Sequence, residues 1–196
     1  MKHILFTIFL TLILISNIGC TSPHQNEPLR VGINNQIPSQ VLHLSRNLGF
    51  YLSQDIEITT VQTDTELLNA LSSGAIDAAT VKLVQAQEIL KKDNTFEIVL
   101  FMSIPKGMIS VSESAGNIDV LLMRKSIAKK DPQKVATLLN GWDSTVAYID
   151  IHPEQTVEFF SKQLNIEPNS VNSQISLNRW GTMELNKEIS LDLAEK

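Results

Sequence analysis

Leu67-Leu68-Asn69-Ala70-Leu71-Ser72-Ser73-Gly74-Ala75-Ile76-Asp77-Ala78-Ala79-Thr80-Val81 reads as a short amphipathic helix stopped at Gly74 and followed at once by a buried strand. Glycine takes the left-handed cap conformation without a Cβ clash, and a run of small and β-branched residues suits a strand covered on both faces. The pair forms one α-to-β step of a parallel sheet. Just upstream, Thr63-Asp64-Thr65-Glu66 sets a hydroxyl three residues before a carboxylate, the spacing of a capping box, so the helix starts near Thr63. Further out, Ile56 to Val61 alternates like a strand. Lys82 to Lys92 carries Leu83, Ala86, Ile89 and Leu90 at helical spacing before the strand Phe96 to Met102. Strand, helix, strand, helix, strand predicts an α/β lobe built on a parallel sheet, with right-handed crossovers and helices on both faces.

With 196 residues, 43% of them hydrophobic, the chain can bury a sizeable core as one large globular domain. The net charge of −5, with no basic patch and no interleaving of arginine with aromatics, gives no reason to expect nucleic acid as a partner.

The N-terminus carries a different signal. Lys2-His3 precedes an apolar run from Ile4 to Ile15, too short to span a bilayer comfortably, and small and polar residues follow. This is the pattern of a signal peptide. Its end, Asn17-Ile18-Gly19-Cys20, resembles the bacterial lipobox, whose cysteine is lipidated and becomes the first mature residue. Asn17 departs from that motif, which usually has an aliphatic residue there. Cys20 is the only cysteine, so no intramolecular disulfide competes for its thiol. Ordinary signal cleavage and an uncleaved anchor are the alternatives. Residues 1–19 are thus expected to be a lipoprotein signal peptide and 20–28, polar with two prolines, a tether.

The fold is expected to begin at Leu29. Leu29 to Asn34 is a first strand, and Pro38-Ser39 opens a helix with Val41, Leu42, Ser45 and Leu48 on one side, closed by Gly49. Ligands of open α/β sheets sit beyond the carboxyl ends of the strands. Asn34, Asn35 and Gln36 after the first strand, Thr63 after the second, Thr80 after the third and Ser103 after the fourth therefore form a candidate ligand-binding rim. Asparagines in such loops also serve as turn formers, and Thr63 also reads as a plain helix cap. Lys82 could neutralise an anion or simply be solvated.

Pro105-Lys106-Gly107 turns the chain into Met108 to Val111, Ser112 to Asn117 is a small polar linker, and Ile118 to Met123 is another apolar strand. Asp131-Pro132 opens the longest helix, with Val135, Leu138, Leu139, Trp142, Val146 and Ile149 along one stripe, which makes Trp142 a core residue. His152-Pro153 breaks it, a further helix runs from Glu154 to Leu164, and from Ile166 onward the pattern weakens into short helix. The histidines His3, His24, His43 and His152 make no ligand cluster, and neither H-E-x-x-H, G-x-S-x-G nor a phosphate-cradling glycine loop occurs. No metal, cofactor or catalytic residue is expected. Asp77, beside Gly74, reads as a capping or turn residue.

Leu42 to Phe50, Asp55 to Ile58 and Ala70 to Ala79, followed by Val120 to Arg124, Lys130 to Val135 and Trp142 to Ile149, together resemble the nitrate/sulfonate/taurine class of ABC-transporter substrate-binding proteins, which includes pyrimidine-precursor binders and a related fungal synthase. The resemblance covers about Leu29 to Leu164. It implies two α/β lobes closing on a small ligand for delivery to a membrane permease. The fungal enzyme's cysteine-rich motif is missing, which argues against catalysis. In that class the second lobe lies between strands like Met108 to Val111 and Ile118 to Met123, where this chain has only the linker.

The expected division is therefore lobe one at 29–111, the linker at 112–117 in place of the missing lobe, and a returning strand with C-terminal helices at 118–196. Two architectures fit: helices packed back on one lobe, or a swapped dimer. The expected function is extracytoplasmic, membrane-anchored binding of a small anionic or heteroaromatic solute, weakly, with an ABC permease as partner. The alternative is a non-transporting remnant or protein-interaction lipoprotein without a small ligand.

Overall fold

The computed structural model describes residues 27–108 and 115–194, so the signal run, Cys20 and residues 109–114 of the expected strand and linker lie outside the described residues. The chain folds through β1 (Leu29–Ile33), α1 (Ile37–Asn47), β2 (Ile56–Thr60), α2 (Asp64–Ser73), β3 (Ala78–Lys82), α3 (Leu83–Lys92) and β4 (Phe96–Pro105). After a 3₁₀ turn at Ala115–Asn117 come β5 (Asp119–Arg124), α4 (Lys125–Lys130), α5 (Pro132–Ile151), α6 (Pro153–Leu164), α7 (Pro168–Ser176), β6 (Asn178–Trp180) and α8 (Met183–Ala194).

The deciding helix has both of its expected ends. Thr63 Oγ1 accepts from the Glu66 backbone N–H at 3.2 Å, Glu66 Oε2 accepts from the Thr63 N–H at 3.2 Å, and Gly74 caps α2 at φ 80°. The strand after it begins at Ala78, later than the sequence suggests, and is preceded by Asp77. Its carboxylate accepts from the Arg30 backbone N–H at 2.9 Å and from Arg30 Nε and Nη2 at 3.0 and 2.8 Å, tying the entrances of β1 and β3 together. That multiple bonding raises the Arg30 pKa further above its already high value.

The six strands form one sheet in the order β2-β1-β3-β5-β4-β6. β1 pairs in parallel with β2 and β3, as the alternating strands and helices predict. β5 is the difference: it enters antiparallel between β3 and β4, so β4 is not β3's neighbour. β5 follows β4 with only the 3₁₀ turn described between them and pairs with it antiparallel, the arrangement that needs no crossover helix. β1 to β4 still run one way, and the lobe remains α/β with a single sheet.

Strand alternation divides the core between the two faces. Ala78, Leu100, Leu121 and Met123 face one layer with Val41 and Leu42 of α1, Trp142 and Val146 of α5 and Phe160 of α6. Their neighbours Ala79, Phe101, Val120 and Leu122 face the other, with Leu67 and Leu71 of α2, Ala86 of α3 and Ile189 of α8. Helices thus cover both faces, and the C-terminal helices pack back on the same lobe. Leu138, Trp142, Val146 and Ile149 are buried along α5, and Trp142 is fully buried. Where α1 crosses α5, Ser45 Oγ lies 2.6 Å from Thr145 Oγ1, and Gly141 leaves room for the Tyr51 ring, which approaches to 2.7 Å of where a Cβ would stand.

The C-terminal segment holds an element that periodicity does not show. β6 is three residues long and pairs antiparallel with Ser103, Ile104 and Pro105 of β4. Gly181 continues it, donating its N–H to Met102 O at 2.9 Å, and Asn186 of α8 extends the edge with its side chain. Its Oδ1 accepts from the Phe101 N–H at 2.5 Å and its Nδ2 donates to Phe101 O at 3.1 Å. A side-chain amide here takes the place of a further strand residue.

Candidate functional site

Because β1 to β4 share a direction, the loops following them do open on one rim, but the six predicted residues divide between two levels of it. Asn34, Thr80 and Ser103 lie beneath the surface, 8%, 1% and 0% exposed. Asn35 and Thr63 are exposed and Gln36 half-buried.

Asn34 is held by its own turn. Its Oδ1 accepts from the Gln36 N–H at 3.2 Å and lies 2.7 Å from Ser39 Oγ, which in turn lies 2.8 Å from Thr80 Oγ1. A serine hydroxyl has one proton and Asn34 Oδ1 can only accept, so Ser39 donates to Asn34 and accepts from Thr80. Asn34 Nδ2 reaches Asp64 Oδ1 at 3.4 Å, Asp64 Oδ2 accepts from Gln85 Nε2 at 3.1 Å, and Gln85 Oε1 accepts from the Lys82 N–H at 3.0 Å. The network ends on Asp119, at the start of β5. Its Oδ1 is 2.7 Å from Lys82 Nζ and its Oδ2 accepts from Ser103 Oγ at 2.7 Å. A carboxylate 4% exposed needs such partners, since an unpaired buried charge is strongly disfavoured.

The outer three have other engagements. Thr63 is the α2 cap described above. Asn35 Nδ2 is 3.4 Å from Gln62 Oε1, and Gln36 stands at the N-cap of α1 without a side-chain capping bond. Asn35 also lines a cavity of about 290 Å³ closed on the far side by Gln163, Leu164 and Ile166. Beneath the rim, Gln40 is 1% exposed and donates Nε2 to Asn34 O at 3.0 Å, while its Oε1 has no partner among the described residues.

Sequence reading missed Ser39, Asp64, Gln85 and Asp119. Asp119 left a trace, a lone carboxylate in the apolar run Ile118 to Met123. The other three left none, because they sit at ordinary helical positions and only the packing of α1 against β3, and of α2 against α3, brings them together. Lys82, read as a charge for an anion, is committed to Asp119. Chemically the network is a set of hydroxyls and amides, the Lys82–Asp119 ion pair, and the Asp64 carboxylate, which is held by amide donors alone. Among the described residues there is no group of three or more histidine, cysteine, aspartate or glutamate side chains arranged to hold a metal, and no helix long and apolar enough to cross a membrane.

No protein-family model matches the sequence, and no curated protein does. The fold, in contrast, has many relatives among solved structures. The ligand-binding component of an ABC-type import system from Staphylococcus aureus, solved with zinc bound, superposes with a TM-score of 0.64 at 11% identity, over 86% of this chain and 91% of that one. A Candida albicans gene product described as exhibiting the generic periplasmic binding protein fold gives 0.63 at 10% identity, over 78% and 81%. The periplasmic aliphatic sulphonate binding protein of Escherichia coli gives 0.60 at 11% identity, over 80% of each chain. The chain therefore has the generic periplasmic-binding-protein fold, built as a single lobe on one sheet among the described residues.

Proposed function

We propose that this protein is a lipid-anchored extracytoplasmic solute-binding protein, a one-lobe derivative of an ABC-type uptake component, and that it is not an enzyme. The observation that carries the reading is the polar network at the carboxyl ends of four co-directed strands, where this fold places its ligands. Asn34, Asn35, Gln36, Thr63, Thr80 and Ser103 would supply the contacts to a small anionic or heteroaromatic solute, with an ABC permease as the receiving partner. The structural neighbours, an import component and a sulphonate binder, point the same way.

Affinity should be low. A small-molecule site buries about 70–90% of its ligand, which a second lobe normally achieves by closing over the first. One rim leaves the outer half of the ligand in water. Each missing polar contact forgoes about 0.5–1.5 kcal/mol, and a handful of them lowers affinity by several orders of magnitude. A second copy of the chain supplying the missing wall would make binding depend on protein concentration. A thermal-shift screen against sulfonates, nitrate, pyrimidines and polyamines, followed by calorimetry on protein shown to be monomeric, tests this. Binding weaker than micromolar and sensitive to Thr80→Val is expected. Submicromolar binding by the monomer, or binding indifferent to that substitution, overturns the rim account.

A second reading, an interaction lipoprotein without a small ligand, is favoured by one specific feature: Lys82, Asp119 and Ser103 satisfy one another and leave no charge waiting for a solute. A silent screen, with genes for a permease and an ATPase absent from the neighbourhood, selects it. Both readings share the anchor, which rests on Gly19-Cys20 after the apolar run. Cys20→Ser is expected to abolish acyl labelling and leave unprocessed precursor in cells. Unchanged labelling excludes lipidation at that thiol.

A further inference from the structure

Away from the rim network, the returning C-terminal elements enclose a cavity of about 390 Å³ between α5, the start of α6, the end of α7 and β6. Its size lies within the range of about 300–1,000 Å³ usual for small-molecule sites. One part of its lining is apolar: Val146 and Ile149 of α5 and the indole of Trp180, which is 9% exposed and held edge-on by Trp142 at 6.5 Å between ring centroids. The polar part carries three full charges, the cations Lys106 and Arg179 and the carboxylate of Asp150. None of the three side chains has a hydrogen-bond or ion-pair partner among the described residues. They differ in this from Lys82, Arg30 and Lys134, which all have carboxylate partners.

The placement is rigid where it needs to be. Arg179 lies in β6, registered against Ile104, and Lys106 follows β4 directly with its N–H bonded to Leu177 O at 2.9 Å. The backbone positions that carry the two cations are therefore held on adjacent, hydrogen-bonded chains, with both side chains exposed. Asp150 comes from α5, one residue beyond the buried Ile149. Two cations and one anion around an apolar wall match a molecule with a carboxylate, an ammonium group and a sizeable apolar body. A guanidinium takes a carboxylate in two-point fashion, and a lysine adds a point charge beside it.

We propose that this cavity binds a free α-amino acid with a large apolar side chain, its carboxylate on Arg179 and Lys106, its ammonium on Asp150 and its side chain against Trp180, Val146 and Ile149. The site uses none of the rim residues as contacts, although Trp180 pairs with Ser103 across β6 and β4, and it does not require the rim to bind a solute. Its two tryptophans, the only ones in the chain, provide the readout.

L-leucine, which does not fluoresce, should produce a saturable change in tryptophan emission, with matching one-to-one heat by calorimetry on the mature chain. N-acetyl-L-leucine, lacking the ammonium, and L-leucinamide, lacking the carboxylate, should each bind at least tenfold more weakly. Arg179→Glu and Lys106→Glu should cost a similar factor, and Asp150→Asn should erase the preference for L-leucine over its N-acetyl form. All three positions are on the surface, and an unchanged melting midpoint certifies the variants as folded. Trp180→Phe should remove most of the emission response while calorimetric binding persists, which places the ligand at this indole. The proposal is overturned by an absence of saturable binding at millimolar L-leucine, by equal binding of the two derivatives, or by binding unaffected in Arg179→Glu. Since Thr80→Val at the rim should leave leucine binding intact, loss of binding in that variant also overturns it.

Discussion

Gly181→Ala is expected to cost about 3 kcal/mol or more of stability and to loosen the C-terminal segment, because the new methyl group meets backbone and not a movable side chain. A Cβ at Gly181 would stand 1.5 Å from Phe101 O and 2.7 Å from its carbonyl carbon. Relief requires β6 to move off β4, and several bonds depend on that contact: Gly181 N–H to Met102 O at 2.9 Å, Trp142 Nε1–H to Gly181 O at 3.0 Å and the two bonds between Asn186 and Phe101. Denaturant unfolding measures the loss, and a red shift of tryptophan emission in the native baseline reports exposure of Trp180. Gly116→Ala is the control: nothing lies within 4 Å of its Cβ position, so a change within about 0.5 kcal/mol is expected. A Gly181→Ala protein as stable as this control would mean that β6 is not seated on β4 as described. The consequence for function is direct, since the same displacement opens the cavity floored by Trp180.

The second large effect is acid destabilisation through His43. This residue of α1 is 8% exposed, with Nε2 2.9 Å from Thr60 Oγ1 at the end of β2 and Nδ1 3.0 Å from Arg46 Nη2. Since Arg46 can only donate, Nδ1 accepts and Nε2 carries the proton given to Thr60, which fixes the neutral tautomer. Burial, and then the positive charge of Arg46, push the His43 pKa down from 6.5 to about 4. A histidine whose folded pKa is depressed contributes stability that is complete above its unfolded pKa. That stability is lost as pH falls from about 6.5 towards 4, where the unfolded chain takes up a proton the native one refuses. Between pH 7 and pH 5 the expected loss is about 1–2 kcal/mol. His43→Gln should flatten the unfolding free energy over that interval relative to the parent, whatever carboxylate titration both proteins share. Parallel pH profiles for the two proteins would refute the assignment.

The local chemistry of the chain was readable from sequence wherever a single element decides it. The box from Thr63 to Glu66 and the left-handed Gly74 were legible because a helix end satisfies its own orphan groups with residues three or four positions away. The stripe from Leu138 to Ile149 was legible because one apolar face along α5 has to be buried. The shortness of the segment between Lys106 and Ile118 likewise showed in the sequence, and it leaves no room there for the second lobe that the resemblance implies.

Pairing across the sheet was decided elsewhere. Nothing in Ile118 to Met123 states that it runs antiparallel between β3 and β4, because an apolar strand buried on both faces reads the same in either direction. β6 was invisible for a related reason: three residues carry no period, and Asn178 to Trp180 is a strand only because β4 offers it an open edge. At the rim, sequence placed Asn34 correctly just after β1, but it set Thr80 and Ser103 beyond strands that in the structure contain them, and it could not say who would meet any of the three. Ser39, Asp64 and Asp119 come from separate elements, and a buried polar group takes whichever partner the packing brings within 3 Å or so. The sequence alone thus determined most of the elements and both ends of α2. Only the tertiary structure decided the strand order, the partners of each buried polar group and the charged cavity behind Trp180, because those depend on residues distant in the chain that share no local pattern.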